Sequence, residues 1–349
     1  MKRRRAIIVI FIAVIAGALF FFLQNKTPEQ LSSIKLGENI IKNAAISTEP
    51  LSIERMRAQS YPGSQIITEQ ILPDGSNYTQ SVVWYQSEGL KINALLTIPT
   101  GKAPATGWPV IIFNHGYIQP TDYRTTERYV AYLDGFARNG YIVFKSDYRG
   151  HGSSEGNPEG AYFSPSYTVD VLNAVGSLKR LKEADPNRIG MWGHSLGGNI
   201  AQRVITIIPD IKAAVVWGGV VSSYSDMYEL WFNQRQRTPE ASAQIQEHWR
   251  VRRVDFTKLH GTPDSNPEFW NAIDPMAHLN YFNTPVQLHH SRGDETVNYR
   301  LSEELAKTLT KAGKPNELYL YEGDDHNISA NFNTAMQRSV EFFDKYLKN

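Results

Sequence analysis

Asp185-Pro186-Asn187-Arg188-Ile189-Gly190-Met191-Trp192-Gly193-His194-Ser195-Leu196-Gly197-Gly198-Asn199 is the stretch that decides the fold. Residues 185–187 read as a turn. Ile189, Met191 and Trp192 then form a short apolar run of the length and type of a buried strand. After Gly193-His194-Ser195-Leu196-Gly197, the apolar residues Ile200, Ala201, Val204 and Ile205 recur at helical spacing. A strand, a very tight turn and a helix, with serine at the turn, is the setting a G-x-S-x-G elbow requires. Such a serine sits in a strained backbone conformation, so the residues two positions away must lack side chains. Ser195 Oγ then projects at the top of the sheet, and the Leu196 N–H, at a helix N-terminus, can face a developing oxyanion. Taken alone, the pattern also fits a Gly-rich helix start without chemistry. The partners downstream decide between the two.

Outward from the elbow, strand and helix patterns alternate from Val110 onward. Strands are predicted at 110–114, 141–147, 188–193, 212–217, 286–291 and 317–322. Helices are predicted at 125–138, 167–183, 197–207, 299–312 and 333–347. Leu301, Leu305 and Leu309 make one core stripe, and Met336, Val340, Phe343 and Leu347 another. The alternation predicts an α/β fold: a mostly parallel sheet with helices on both faces. Upstream, Ile66 to Ile71, Tyr78 to Tyr85 and Leu90 to Ile98 are separated by the turns 73–77 and 87–89. They read as an antiparallel meander forming the first edge of the sheet.

Lys2-Arg3-Arg4-Arg5 precedes eighteen uncharged, mostly apolar residues, Ala6 to Leu23, long enough to span a bilayer. The basic cluster would stay cytoplasmic, placing the rest of the chain on the extracytoplasmic side. Residues 1–25 are therefore expected to be an N-terminal transmembrane anchor. The alternative is a signal peptide cleaved from a secreted protein, although Phe20-Phe21-Phe22-Leu23 is followed by no small-residue cleavage site. Residues 26–63 read as a linker, with a short helix near 53–59, and residues 64–349 as the catalytic domain. Within that domain the alternation stops over 222–284, a stretch rich in aromatics and arginines that falls between two strands. It reads as a helical lid above the strand C-terminal ends, the alternative being a packed structural excursion. Hydrophobic residues make up 41% of the 349, enough for a large core, and a net charge of +1 gives no footing for nucleic acid. The lack of any cysteine rules out disulfides, thiolate catalysis and Cys-zinc sites.

A serine nucleophile needs a base, and the base an orienting acid, in the chain order Ser, acid, His for this kind of elbow. The strand ending at Ser291 leads into Arg292-Gly293-Asp294-Glu295, and the strand ending at Glu322 into Gly323-Asp324-Asp325-His326. Both loops lie at strand C-terminal ends, on the side of Ser195. His326 is the expected base. Asp294 is the expected acid, ahead of Glu295, while Asp324 and Asp325 are too close to His326 in sequence and read as solvated. His194 is expected beside the nucleophile, His289 and His290 half-buried at a strand end, and His151 as a loop stabiliser. His248, His260 and His278 read as surface or lid residues. The second oxyanion donor is expected from Asn114-His115-Gly116-Tyr117, through the Tyr117 N–H, with its phenol as another possible donor. No metal or organic cofactor is called for.

The segments SEGLKINALLTIP (87–99), VIIFNHGY (110–117), DYRGHGSSEG (147–156), DPNRIGMWGHSLGG (185–198), PVQLHHSRGDETV (285–297) and YEGDDHNIS (321–329) resemble the α/β-hydrolase superfamily. More narrowly, they resemble the catalytic domain of the prolyl oligopeptidase (S9) family. The resemblance implies an α/β-hydrolase fold, with Ser195, Asp294 and His326 as a triad that cleaves a peptide or ester bond through an acyl-enzyme. The aromatic residue that often follows the serine in that family is here Leu196, as in many lipases and esterases. The gating β-propeller of the larger peptidases has no counterpart between the anchor and the domain, and the paired glutamates of the dipeptidyl branch are not identifiable. A carboxylesterase or lipase-like hydrolase is therefore the alternative, and a non-catalytic binding member of the fold a more distant one. The partners expected are a small-molecule ester or peptide and the membrane.

Overall fold

The computed structural model describes residues 48–232 and 253–348, and the unit considered below begins at Pro50. The expected membrane segment, most of the expected linker and residues 233–252 of the insertion lie outside the described residues. Among the described residues no helix is long and apolar enough to cross a membrane.

Nine strands form one sheet: β1 (Ile67–Leu72), β2 (Tyr78–Ser87), β3 (Leu90–Pro99), β4 (Trp108–Asn114), β5 (Ile142–Ser146), β6 (Ala184–His194), β7 (Ile211–Trp217), β8 (Val286–Ser291) and β9 (Asn316–Tyr321). Their spatial order is β1-β2-β3-β5-β4-β6-β7-β8-β9. The first three pair antiparallel, β3 joins β5 antiparallel, and every later pairing is parallel. The meander is closed by Glu88-Gly89, both at positive φ (50° and 81°), the geometry of a tight two-residue hairpin turn. The parallel strands β4, β5, β7 and β8 are buried along most of their length, as a sheet covered on both faces must be, while the edge strand β9 is only partly covered.

One face carries α1 (Ile53–Ala58), α3 (Ser166–Leu178), α4 (Leu196–Ile207) and α7 (Arg300–Lys311). The other carries α2 (Val130–Ala137) and α8 (Phe332–Leu347). Both predicted stripes are core, Leu301, Leu305 and Leu309 on the first face and Met336, Val340, Phe343 and Leu347 on the second. Because β4 is followed by β5 on one side while β6 lies on the other, the strand order reverses between β4 and β6. The C-terminal ends of strands at such a reversal are the place where α/β sheets bind ligands. Asn114 pairs with Gly193 there, so the ends of the two strands are level.

Two expectations need correction. The linker assigned to 26–63 ends earlier, because Leu51, Ile53 and Met56 are buried against the domain. The buried Arg203 guanidinium donates to Leu51 O (2.6 Å) and to Ile273 O (2.7 Å). Arg57 caps the end of α4 by donating to Thr206 O and Ile207 O, where helix carbonyls lack internal partners. Polar sequence hid this docking because its energy lies in backbone carbonyls and three apolar residues. The second correction is that the helix predicted over 125–138 starts only at Val130. Arg128 and Tyr129 adopt left-handed φ values of 58° and 55°, which no right-handed helix accommodates.

Within the insertion, α5 (Tyr224–Met227), a π turn over Tyr228–Phe232, residues 253–260, α6 (Pro267–Ile273) and a 3-10 turn over Pro275–His278 are helical. Ser223 starts the segment with a capping box: its hydroxyl accepts the Asp226 N–H while the Asp226 carboxylate accepts from Ser223.

Candidate active site

Ser195 joins β6 to α4 with φ 54° and ψ −118°, a conformation that costs a non-glycine residue about 1–3 kcal/mol. The surrounding structure enforces it. A Cβ at Gly197 would lie 2.0 Å from Asn114 O, and one at Gly193 would lie 2.4 Å from Gly197 O. The elbow is thus pressed onto the end of β4, with room only for glycine. Ser195 N donates to Trp217 O (3.1 Å) and Ser195 O accepts from Val220 N (3.1 Å), tying the elbow to β7 and the loop after it.

Asp294 and His326, the expected acid and base, lie in the loops that follow β8 and β9. Asp294 Oδ1 accepts the N–H groups of Thr296 (2.8 Å) and Val297 (2.9 Å). Its Oδ2 lies 2.6 Å from His326 Nδ1 and 3.1 Å from His290 Nε2. Burial acts to raise the Asp294 pKa, but hydrogen bonds from His290 and His326, and their charge, outweigh it and hold the carboxyl well below the usual range. The acid is therefore ionised. With His326 Nδ1–H given to Asp294, Nε2 is the basic nitrogen. The His326 side chain is 17% exposed and that of Asp294 0%, so the base is reachable and the acid is not. The His326 ring rests on Gly218, where a Cβ would come within 3.2 Å of Nδ1 and Cε1. Gly218 directly follows Trp217, whose carbonyl holds Ser195, so the histidine is brought to the elbow. Among the described residues no hydrogen bond joins Ser195 Oγ to His326; catalytic contacts of this kind tighten when substrate binds.

The other acids separate cleanly. Glu295 and Asp325 are exposed. Asp324, expected to be solvated, is instead buried and builds the loop that carries His326. Its carboxylate accepts from the backbone N–H of Asp325, Ala330 and Asn331 and from Asn331 Nδ2. His289 and His290, expected half-buried, are wholly buried. His290 also lies 2.7 Å from Ser302 Oγ, which makes it a second imidazole on the acid that the sequence reading missed. Its signal was its place at the strand end, four residues before Asp294. His194 lies beside the nucleophile as expected, 4.6 Å from the His326 ring centroid, and His151 is buried with Nδ1 near Arg149 O. His260 stacks on Phe269 and His278 on Tyr281, both in the insertion, while His248 lies outside the described residues.

The loop after β4 reaches the elbow, since a Cβ at Gly116 would lie 3.2 Å from Ser195 Cβ. The Gly116 N–H is taken by the hydroxyl of Tyr129 (3.0 Å). Tyr117 is half-buried, and its phenol donates to Gln119 Oε1 (2.6 Å), which turns that hydroxyl away from the second donor role considered for it. Leu196, the other expected donor, opens α4, where a first-turn N–H has no partner within the helix.

The insertion leans on the acid loop. Trp231 Nε1 donates to Thr296 O (2.8 Å), and Asn298 Nδ2 to Leu230 O (3.2 Å). Tyr162, Phe163, Trp231, Phe232 and Phe256 pack ring against ring on that side, with centroids 5.0–6.4 Å apart.

Comparison with known proteins agrees with this architecture. The model described as Prolyl oligopeptidase family matches residues 128–349. The protein named uncharacterized peptidase YtmA, of Bacillus subtilis (strain 168), is 26% identical over 277 residues, covering 79% of this chain and 97% of its own. Among solved structures, the acylaminoacyl peptidase of Pyrococcus horikoshii superposes with a TM-score of 0.61 at 22% identity, over 78% of this chain and 42% of that one. An acetyl xylan esterase from Paenibacillus sp. R4 also gives 0.61, at 17% identity, over 83% and 91%. The two structures establish the α/β-hydrolase fold.

Proposed function

Since this chain belongs to the prolyl oligopeptidase family and is a serine hydrolase of peptide or ester bonds, we propose that Ser195 is its nucleophile, His326 its general base and Asp294 the acid that orients the base. The observation that carries this assignment is the 2.6 Å bond between Asp294 Oδ2 and His326 Nδ1, beside a serine in strained elbow geometry. Ser195 Oγ attacks the substrate carbonyl carbon and passes its proton to His326 Nε2. The oxyanion is received by the N–H groups of Leu196 and Tyr117. Collapse expels the amine or alcohol, which takes the proton from His326. Water, deprotonated by the same nitrogen, then releases the acid and restores Ser195. The described parts of the insertion, 222–232 and 253–284, act as a lid whose aromatic side favours apolar substituents on a small ester or peptide.

Turnover of p-nitrophenyl acyl esters against aminoacyl and dipeptidyl anilides tests this reading. Hydrolysis in at least one panel, abolished by a fluorophosphonate probe, is expected. Inert wild-type protein that also resists the probe would mean a binding protein on this fold.

Residues 1–25 supply the membrane anchor in this reading and leave the domain on the extracytoplasmic side, with the basic cluster and the apolar run of Ala6 to Leu23 as the support. Fractionation should find full-length protein in the membrane pellet. A soluble species starting near Gln24 would show a cleaved signal instead.

A further inference from the structure

His194 and Tyr129 have so far no part in the chemistry, yet together they connect its two halves. Tyr129 Oη lies 3.0 Å from Gly116 N and 2.7 Å from His194 Nδ1. On the far side of the imidazole, His194 Nε2 lies 3.1 Å from His326 O. The ends of this series fix its direction. Gly116 N–H can only donate, so Tyr129 Oη accepts there; at the other end the His326 carbonyl can only accept, so a neutral His194 carries its proton on Nε2 and takes the Tyr129 hydroxyl proton at Nδ1. One tautomer of a neutral imidazole satisfies every link. Burial acts in the same sense, pushing the His194 pKa down to about 3 and raising that of the Tyr129 hydroxyl.

The backbone at Tyr129 points to the same purpose. Helix starts favour Ser, Thr, Asp or Asn, whose side chains bond the first N–H groups. Tyr129 occupies that position before α2 with φ 55° and makes no capping bond. Its side chain is turned instead to Gly116 and His194, and its ring packs against Phe113, Tyr132 and Trp192. Strained backbone is kept where the surrounding structure determines it and function uses it. The same helix grips the base loop again at the next residue, since Tyr132 Oη donates to Asn327 O (3.0 Å).

We propose that Tyr129 and His194 are positioning residues for the reaction. They form a one-way chain of hydrogen bonds that locks the oxyanion loop at Gly116 to the backbone of the base at His326. The proposal rests on the reading of His326 as base and of the 114–117 loop as oxyanion donor. Acting through the geometry of both, the pair affects the transition state more than substrate binding.

Tyr129→Phe keeps the ring and its packing and removes one oxygen. It should lower kcat for ester hydrolysis about ten- to a hundredfold, leave KM within about twofold, and keep the wild-type circular dichroism spectrum. His194→Gln retains a donor and an acceptor, so it should keep more kcat than His194→Phe, which has neither. The double variant of Tyr129→Phe and His194→Phe should be no slower than His194→Phe alone, because both cut one chain. Tyr129→Phe within twofold of wild type in kcat, or a loss carried by KM alone, would overturn the proposal. It decides by itself should His194→Phe not fold. Wild-type protein that failed to label with a fluorophosphonate would remove the base reading, and the proposal with it. Labelled wild type with an unimpaired Tyr129→Phe would sink the proposal alone.

Discussion

The two halves of the site are held by different forces. The nucleophile side is held by backbone packing: Gly193, Ser195 and Gly197 leave no space between β6, α4 and the end of β4. The acid–base side is held by directed bonds between side chains and loop backbone, from His290 to Asp294 to His326, with Asp324 pinning the loop beneath the base. Packing of the first kind tolerates almost no added atom, whereas a hydrogen-bonded network degrades in steps as its links are cut. The structure therefore predicts a graded response to substitution, steep at the elbow and shallower with each layer away from His326.

Gly197→Ala is the severest test of that gradient. The added methyl would sit 2.0 Å from a main-chain oxygen that cannot move without shifting β4. A destabilisation of about 3 kcal/mol or more is expected, read from denaturant midpoints, together with loss of activity. Wild-type stability in this variant would mean that packing does not hold the elbow. Asp294→Asn comes next. It keeps the shape but removes the charge and admits the wrong imidazole tautomer, so kcat should fall at least about a hundredfold with KM little changed. The exposed Glu295→Gln should stay within about tenfold of wild type, since that side chain faces solvent. If steady-state ester hydrolysis gives the reverse order, the acid is misassigned. Asp324→Asn should act on stability more than on catalysis. An amide keeps one acceptor oxygen of the two that now receive four bonds, so about 1–3 kcal/mol of stability should go, with kcat reduced less than about tenfold. A collapse of kcat without any fall in melting temperature would make Asp324 part of the chemistry rather than of the loop.

The same contrast explains what could be read from the chain. The elbow was legible because its constraint is local: a strained serine dictates glycine two residues to either side, wherever the rest of the chain runs. The strands from 110 to 322 and the two helix stripes were legible from periodicity, because one element's burial sets its own pattern. The pairing of Asp294 with His326, 32 residues apart, was legible only through chain order and strand ends. What escaped the reading depends on contacts no local pattern carries. Asp324 reads as an exposed turn residue until Ala330 and Asn331 fold back on it. Tyr129 lies in a stretch that reads as helix, yet it has a left-handed φ and its hydroxyl meets Gly116 and His194, neither adjacent in sequence. Leu51 and Met56 looked like part of a polar linker because their partner, Arg203, lies some 150 residues away in a helix that reads as core.

Ser195, set in the strained turn between β6 and α4, is the residue proposed to take up the acyl group. The most direct measurement is mass-spectrometric mapping of a fluorophosphonate adduct on the purified protein, with Ser195→Ala alongside. Ser195→Ala removes one oxygen and adds no bulk, so the fold should survive. A single adduct is expected on the peptide carrying Gly193-His194-Ser195-Leu196-Gly197, at Ser195, with no labelling of the folded variant. An adduct on any other residue, or labelling retained in Ser195→Ala, would contradict that role.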